Sequence, residues 1–459
     1  MSQFRITKFT CTLLISALAN VLGGVQIVRG ADALTPLGGD AAASADGKIP
    51  AWVGSNGVGQ SWKYGESREA AWKYHGEQPT VVIDASNAAQ YRDYLTAGEA
   101  ALFKSIPGYK MSIYPTHRDC GAPDFVAKNT KMNEGYAQLA ADGWGLNQAY
   151  VPGIPFPEPK NGVEVMWNSK MRYRGLAIDF SVLNTALSPA PGSSDWVNAE
   201  SKETLFYPWG VEGEHKLSDY PPLELEAYFE YKSPTALEGQ AAVIKGFLDK
   251  PGAETYYYFP GQRRVRRLPA YAYDAPQIGF EGQYTMDEPM VFSGTLDRFD
   301  WKIVDKREVY IPYNSFGAYD VKTPLNKVAQ DHFINADYRR YELHRVWVIE
   351  AALKSGFRHI APKRIFYVDE DSWVLLGAED YDGQGKLFKY REAFPIPVYE
   401  TGTCDAMSFV QYNVSDGRYV FDMNPVGGGK DISWITKPGS PKTSDGFYTG
   451  DNLSAISGQ

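Results

Sequence analysis

The most regular pattern along the chain is an alternation of apolar and polar side chains in residues 223–232, LELEAYFEYK. The members that share the mainly apolar face are Leu223, Leu225, Ala227, Phe229 and Tyr231. The members that share the other face are Glu224, Glu226, Tyr228, Glu230 and Lys232. Because successive side chains of a β-strand point to opposite faces of its sheet, this pattern predicts an antiparallel strand with one face in water.

Similar strand patterns follow along the rest of the chain. The predicted strands cover residues 241–248, 254–259, 297–304, 344–353, 363–369, 372–378, 386–393, 408–414 and 417–422. Short turn sequences separate several of them, for example DGQG at 382–385 and SDG at 415–417. Turn residues between such runs indicate β-hairpins, so we expect a long series of antiparallel strands.

Helical periodicity is confined to the part of the chain before this series. Apolar residues recur at three- and four-residue spacings in 86–104, and a second helix is expected over 123–142, where Pro123 suits a helix start and Gly143 a helix end. Four prolines in 151–162 predict an extended connector. Helices followed by many strands predict a mainly β, α+β fold: a large antiparallel, strongly curved sheet or unclosed β-barrel with helices covering the concave face.

The N-terminus has the pattern of a secretory signal peptide. Arg5 and Lys8 precede an apolar run at 11–28, and small residues follow it. No cysteine lies at the expected cleavage region, so we expect no lipid anchor on the mature chain. The expected segments are a signal peptide at 1–31, a flexible lead-in rich in Gly, Ala and Ser at 32–62, a single domain at 63–450 and a tail at 451–459.

Two cysteines remain once the signal peptide and its Cys11 are removed. In an oxidising compartment, Cys120 and Cys404 most simply form one disulfide. Two free, buried thiols are the alternative. A disulfide would tie the front of the chain to its far end, which favours one integrated body.

The charge and the motifs exclude several classes of function. The chain has 55 acidic and 46 basic residues, and this excess of negative charge opposes general binding of nucleic acid. It contains no G-x-S-x-G elbow, P-loop or H-E-x-x-H sequence, and its six histidines do not pair at helical spacing. Asp380 and Asp382 resemble the start of a calcium loop, but its closing ligands are missing, so a hairpin turn is favoured. We therefore expect no enzyme activity, no metal site and no cofactor.

Aromatic residues are the positive signal, since they make up 14% of the chain. Most aromatic side chains fill cores, but tyrosine combines an apolar ring with a polar tip and suits the lining of a cavity for an amphiphilic ligand. The candidate lining residues are Trp167, Tyr173, Tyr228, Phe229, Tyr256, Tyr258 and Trp301.

A basic cluster follows the aromatic run YYYF at 256–259. Alternation places Arg264 and Arg266 on one face of the predicted strand, and Arg263 and Arg267 on the other. Arginine on both faces excludes a dry core strand. Pairing with the protein's own carboxylates and binding of a ligand's anionic group both remain open, and we expect Arg264 and Arg266 to face the cavity.

Several longer stretches together resemble a known family. They are YPTHRDCGAPD (114–124), PFPEPKNGVEVMWN (155–168), YYYFPGQRRVRRLP (256–269), IPYNSFGAYD (311–320) and YELHRVWVIEAALKSGFRHIAPKRIFYVDEDSW (341–373). The chain resembles, over roughly residues 33–450, a proteobacterial periplasmic family of unknown function that is often labelled outer-membrane lipoprotein-sorting protein.

The resemblance implies a fold similar to the lipoprotein carriers LolA and LolB, an unclosed β-barrel covered by helices. It also implies a periplasmic carrier or chaperone for a lipid, sterol-like or acyl-chain ligand. The implied partners are an outer-membrane β-barrel protein and an export pump of the resistance-nodulation-division class. Two alternatives are an assembly partner of such a barrel or pump without a small ligand, and a periplasmic hydrolase that uses carboxylates such as Asp369, Glu370 and Asp371.

Overall fold

A computed structural model describes residues 34–54, 61–268 and 273–457. The predicted signal peptide at 1–31 lies outside these residues. The α-helices of the described chain are α1 (Arg68–Ala71), α2 (Ala97–Ser105), α3 (Asp124–Met132), α4 (Gly162–Met171), α5 (Leu325–Val328) and α6 (Gly450–Ser457). Short 3-10 helices cover Ala88–Tyr94, Leu217–Asp219, Pro260–Gln262, Phe316–Tyr319, Ala336–Tyr338, Pro441–Thr443 and Asp445–Phe447.

Strands dominate the described chain. Those before residue 220 are β1 (Val81–Asp84), β2 (Lys110–Ile113), β3 (Gln138–Leu139), β4 (Leu146–Gln148), β5 (Tyr150–Val151), β6 (Ala177–Leu187), β7 (Val197–Phe206) and β8 (His215–Lys216). The next group is β9 (Leu223–Ser233), β10 (Ala241–Phe247), β11 (Ala253–Phe259), β12 (Arg264–Leu268), β13 (Phe299–Pro312), β14 (Tyr341–Leu353) and β15 (Lys363–Asp369). The last are β16 (Leu375–Tyr381), β17 (Leu387–Ala393), β18 (Ile396–Val398), β19 (Thr403–Asp405), β20 (Phe409–Asn413), β21 (Arg418–Asn424) and β22 (Ser433–Ile435).

One sheet of 16 strands forms the body of the described chain. Its antiparallel path runs β13-β14-β15-β16-β17-β20-β21-β6-β7-β9-β10-β11-β12, and β22 also pairs with β6. The β1-β2 hairpin joins by a short parallel contact between Ile113 and Tyr341. The path does not close on itself, because β13 and β12 remain at its two ends. The predicted mainly β fold with a large unclosed sheet is confirmed.

The early part of the chain differs from the sequence-based expectation. The helix expected over 86–104 is a 3-10 turn followed by α2, which begins at a capping box between Thr96 and Glu99. The helix expected over 123–142 ends at Met132. Strands β6 and β7 were not predicted, because apolar residues on both faces of β6 hide the two-residue period.

Helices α2 and α6 lie against the same face of the sheet. Helix α2 packs against Tyr390 of β17, and α6 packs against Tyr256 of β11. Both residues point away from the face on which the long segment 273–297 lies, as the pairing registers show. We call residues 273–297 the covering segment, and the sheet face under it the covered face. This segment contains no α-helix or strand, whereas helices α2 and α6 cover the opposite face.

The start of the described chain is attached to the body. The main-chain carbonyl of Leu37 accepts a hydrogen bond of 2.8 Å from the Trp373 indole, and Arg118 donates to the carbonyls of Asp40 and Pro50. Leu37 itself is buried in the main core. These contacts attach Leu37, Asp40 and Pro50 to the body of the protein.

A disulfide links Cys120 to Cys404, with their Cα atoms 5.3 Å apart. Both cysteines are buried in the main core. The bond therefore joins the segment before α3 to β19, near the end of the strand series. The structure has the pairing that the cysteine count predicts.

Candidate functional site

An apolar pocket lies between the covering segment and strands β7, β9, β10 and β11. Its volume is about 150 Å³, with an adjoining extension of about 30 Å³. The apolar side chains that line it are Leu205, Leu225, Ala227, Ile244, Met286 and Met290. The polar side chains at its wall are Glu203, Glu224, Thr255, Tyr273, Ser293 and Thr295.

The register of the strands explains this lining. Residues that lie opposite each other in paired strands share a face, and so do residues two apart along a strand. One row across the covered face runs Leu205, Ala227, Ile244, Thr255 and Leu268. The neighbouring row runs Phe180, Glu203, Phe229, Ala242, Tyr257 and Arg266. The two rows form an apolar floor that contains a single acidic side chain, Glu203.

Glu203 stands apart from the other carboxyl groups of the covered face. It lies between Phe180 and Phe229 in its row, and the described residues offer it neither a hydrogen bond nor an ion pair. Burial raises the pKa of the Glu203 carboxyl group to about 8, and the neighbouring negative charge of Asp422 adds to the shift. At neutral pH the favoured form of Glu203 is therefore the neutral acid, which carries one O–H donor.

The neighbouring Glu224 behaves differently. Its carboxylate oxygens accept hydrogen bonds of 2.9 and 3.1 Å from the ammonium group of Lys170 on α4. The positive charge of Lys170 therefore neutralises Glu224 within the protein. Of the two carboxyl groups at the pocket wall, Glu203 is therefore the one that is available to a ligand.

The covering segment is attached to the other half of the covered face by buried ion pairs. Asp287 contacts Arg364 of β15 at 2.5 Å, and Glu288 contacts Lys389 of β17 at 2.6 Å. Asp287 also lies 3.1 Å from His359. The guanidinium of Arg364 and the imidazole of His359 hold the pKa of Asp287 well below its usual range, against the opposing effect of burial. These contacts fix the segment next to the pocket without filling the pocket.

Two of the predicted lining residues lie on the covered face. Phe229 lines the small extension of the pocket. Trp301 is on the same face of the sheet but is buried under the covering segment, where its indole N–H donates to the carbonyl of Leu296 and its ring contacts Phe292. Phe229 is thus the member of the predicted set that reaches the pocket.

Three predicted tyrosines lie on the opposite face. Tyr228, Tyr256 and Tyr258 alternate with the pocket residues along β9 and β11, so they point away from the pocket. They pack instead in a smaller cluster against the C-terminal residues Tyr448 and Leu453. Alternation shows that Tyr228 and Phe229 occupy different faces, but the sequence does not show which face is covered by which segment.

The other two predicted aromatic residues belong to the core. Trp167 is 1% exposed, and its indole N–H donates a hydrogen bond of 2.7 Å to the carbonyl of Trp144. Tyr173 packs edge-on against Phe125 and borders a cavity of only about 10 Å³ beside Cys404. Both side chains therefore serve packing and do not line the apolar pocket.

The arginine pair lies on the pocket side of the last strand in the sheet path. Arg266 is opposite Tyr257 and Arg264 is opposite Phe259, and both arginines are exposed. Arg267 points to the other face, where it lies 3.2 Å from Glu254. The row of Glu203 therefore runs from a half-buried carboxyl group, across apolar rings, to the exposed Arg266.

A larger and more polar cleft lies elsewhere in the described chain. Its volume is about 570 Å³, and residues 64–69, 316, 319–322 and 429–431 form its wall. Arg68 in this wall already pairs with Glu400 at 2.8 Å and with Asp431 at 2.7 Å. The smaller pocket is the better candidate, because it combines an apolar lining with a carboxyl group that has no partner in the described chain.

Sequence reasoning missed Glu203 and the covering segment. The short apolar stretches of 273–297 have neither a two-residue nor a helical period, and β7 was not recognised as a strand. The signal that was available is the pair Asp287 and Glu288 between apolar residues, because adjacent carboxylates in such a setting need cations from elsewhere in the fold.

Comparison with known proteins identifies the family. The profile of the family described as "Protein of unknown function (DUF1329)" matches residues 82–454. The chain belongs to this family. An uncharacterized protein of Pseudomonas aeruginosa is 36% identical to this DUF1329 member over 433 residues, which are 92% of each chain. The family resemblance read from the sequence motifs is confirmed.

Three solved structures with related names are similar to this chain at lower sequence identity. A domain that carries the name outer membrane lipoprotein-sorting protein, from Vibrio parahaemolyticus, is 14% identical with a TM-score of 0.43, and covers 64% of this chain and 98% of its own. A DUF1329 family protein of Desulfovibrio piger is 11% identical with a TM-score of 0.40, over 60% and 90% of the two chains. A LolA superfamily protein of Nitrosomonas europaea is 11% identical with a TM-score of 0.35, over 64% and 99%.

Two further properties of the described residues bear on the site. Within residues 34–54, 61–268 and 273–457, no helix combines the length and the apolar character that a membrane span needs. In the same ranges, no group of three or more His, Cys, Asp or Glu side chains is arranged to hold a metal ion.

Proposed function

We propose that the protein is a non-enzymatic carrier that binds an apolar molecule in the pocket under the covering segment. The observation that carries this proposal is the apolar floor formed by Leu205, Ala227 and Ile244, closed from above by Met286 and Met290. Methionine side chains adapt to ligands of different shape, which suits a carrier. Burial of a ligand's alkyl groups there is worth about 0.8 kcal/mol per CH₂.

The volume of the pocket limits what it holds with the covering segment in place. A cavity of about 150 Å³ has room for one small ring or the end of an alkyl chain. A longer cargo needs displacement of the covering segment from the sheet. The segment is held over the neighbouring strands by the side-chain pairs of Asp287 and Glu288, so such displacement separates buried charges.

The arginine pair extends the proposal to amphiphilic cargo. Arg264 and Arg266 are exposed on the pocket side of β12, and Arg266 ends the row that contains Phe229 and Tyr257. A molecule whose tail lies in the pocket places an anionic group near these guanidinium groups. Replacement of both arginines by alanine should therefore weaken binding of an anionic amphiphile while leaving the fold intact.

Localisation and partners belong to the same proposal. The predicted signal peptide supports a periplasmic location, where the mature protein would exchange a lipid, sterol-like or acyl-chain cargo with the outer membrane. The outer-membrane β-barrel protein and the export pump implied by the family resemblance are its proposed partners. Copurification of either with the tagged mature protein tests this part.

Titration with the neutral apolar dye N-phenyl-1-naphthylamine tests the binding proposal, because this three-ring molecule, like a longer cargo, needs displacement of the covering segment to enter the pocket. Gly246 lies at the pocket wall, and a Cβ atom added there would meet nothing closer than 3.8 Å, so Gly246→Leu fills the pocket without backbone strain. Gly383→Leu is the matched control, because Gly383 lies in the β16–β17 turn with no atom within 4 Å of an added Cβ.

The mature protein and the Gly383→Leu variant should give the same saturable rise in fluorescence, and Gly246→Leu should lose it. If the mature protein gives no saturable rise, the carrier proposal is wrong. If all three proteins bind the dye equally, the pocket is not the binding site.

A further inference from the structure

The carboxyl group of Glu203 is the polar feature of the pocket that the protein itself does not use. It lines the pocket wall next to Leu205 and Ala227. Across the sheet its direct neighbours are the phenyl rings of Phe180 and Phe229. Glu203 is half-buried, so its carboxyl group is accessible from the pocket. A carboxyl group at an apolar wall without a partner of its own is available to a ligand.

The described side chains that face Glu203 supply no positive charge. Asp422 of β21 is occupied by hydrogen bonds of 2.5 Å from Thr185 and Tyr284, and Glu224 is neutralised by Lys170. Tyr273 of the covering segment bonds to the carbonyl of Thr295. Within the described part of the chain these groups give Glu203 no donor, so the neutral form of this half-buried carboxyl group fits the apolar wall.

We propose that Glu203 acts as a neutral acid that donates a hydrogen bond to an oxygen of the cargo, and so selects apolar molecules with a carbonyl or hydroxyl group. This inference rests on the proposed carrier function. A ketone, ester or alcohol oxygen accepts the O–H of Glu203 while the alkyl part of the molecule contacts Leu205, Ala227 and Ile244. A cargo without such an oxygen leaves the carboxyl group unsatisfied.

The proposal also excludes the carboxylate group of a free fatty acid from this end of the pocket. An ionised carboxylate next to Glu203 would place two acidic groups together in an apolar site, with the Asp422 carboxyl close by. An anionic head group has a better position near the exposed Arg264 and Arg266. The pocket end of the cargo is therefore uncharged.

Competition between small molecules of equal chain length tests this selectivity. Octan-2-one, octane, octylamine and octanoate are each used to displace N-phenyl-1-naphthylamine from the mature protein at pH 6.5. We expect octan-2-one to displace the dye at about a tenfold lower concentration than octane, because one well-placed hydrogen bond has about this effect. Octylamine as the best competitor would show that Glu203 binds as a carboxylate.

Two variants assign the preference to Glu203. Glu203→Gln retains an N–H donor of similar size and should keep the preference for the ketone at every pH, whereas Glu203→Leu should remove it. In the mature protein the preference should fall as the pH rises from 6.5 to 9.5, because the carboxyl group loses its donor proton.

The outcomes separate the two proposals. Dye binding that Gly246→Leu removes, together with equal displacement by octan-2-one and octane, overturns the role of Glu203 and leaves the carrier function intact. A preference for the ketone that persists in Glu203→Leu also overturns that role. Absence of saturable dye binding by the mature protein overturns both.

Discussion

The ammonium group of Lys389 on β17 lies 2.6 Å from a carboxylate oxygen of Glu288 on the covering segment, and both side chains are buried. The second carboxylate oxygen of Glu288 accepts a hydrogen bond of 2.7 Å from the main-chain N–H of Thr285. One side chain thus shapes the covering segment and attaches it to the sheet. The cover of the candidate pocket depends on charge pairing in the neighbouring half of the covered face.

Removal of this charge should loosen the covering segment. Glu288→Gln leaves the buried Lys389 without its anion, and we expect a loss of about 3–5 kcal/mol in the free energy of unfolding. Urea denaturation measures the loss, and amide hydrogen exchange of residues 273–297 should become faster. Glu281→Gln is the matched control in the same segment: Glu281 pairs with Arg418 but is 54% exposed, so its loss should stay below about 1 kcal/mol. Equal losses would show that burial of the pair is not the cause.

The disulfide should contribute strongly to stability. Cys120 and Cys404 are separated by 284 residues, so their bond restricts a large part of the unfolded chain. Replacement of both by alanine should lower the free energy of unfolding by about 2–5 kcal/mol. The urea midpoint with and without a reductant measures this effect. Reductant should shift the wild-type midpoint to that of the double variant and leave the double variant unchanged; a shift of the variant as well would assign the effect to something else.

Gly98 should not tolerate even a methyl group. A Cβ atom at Gly98 in α2 would lie 2.0 Å from a ring carbon of Tyr390, and the Gly98 N–H donates to the Glu379 carboxylate at 2.9 Å. Gly98→Ala should therefore lower the free energy of unfolding by about 1–3 kcal/mol, although alanine favours helices more than glycine. Thermal unfolding against Gly383→Ala provides the comparison, and the control should change by no more than about 0.5 kcal/mol. A stabilised Gly98→Ala protein would show that α2 does not pack this closely.

The raised pKa of Glu203 makes stability depend on pH. The folded protein holds this proton up to about pH 8, while the unfolded chain releases it near the ordinary carboxyl value, so ionisation favours the unfolded chain as the pH rises between them. Glu203→Gln lacks this effect. The variant should gain stability relative to wild type from pH 5 to pH 8, and the difference should be constant above that. Urea unfolding at five pH values measures it, with Glu200→Gln of the same strand as the control. A difference independent of pH would contradict the raised pKa.

Much of the strand content could be predicted from local pattern. Residues 223–232 and 363–369 were recognised as strands because two-residue alternation or a short β-branched run is a property of the local sequence. Helix ends were less accurate: α3 ends ten residues before the expected Asp142, because the chain turns there into the small β3–β4 hairpin. The spacing of apolar residues along the sequence does not mark that turn.

The candidate site could be predicted only in part. Phe229 reaches the pocket, whereas Tyr228 beside it lies under the C-terminal residues. Both faces of β9 and β11 carry aromatic side chains, so composition favours neither face. Which face holds a pocket depends on which distant segment covers it, and this is decided by the burial of Asp287 and Glu288 against cations of β15 and β17.

The sequence by itself determined the strand-rich architecture, the cysteine pair and the family, because alternation, residue counts and contiguous motifs are local properties of the chain. The tertiary structure decided the neighbours of Glu203: β21, at 418–424, pairs with β6, at 177–187, and brings Asp422 near a carboxyl group more than two hundred positions away. Such pairing follows from the packing of the whole sheet. The environment that raises the pKa of the Glu203 carboxyl group is therefore a property of the folded chain, which no short stretch of the sequence contains.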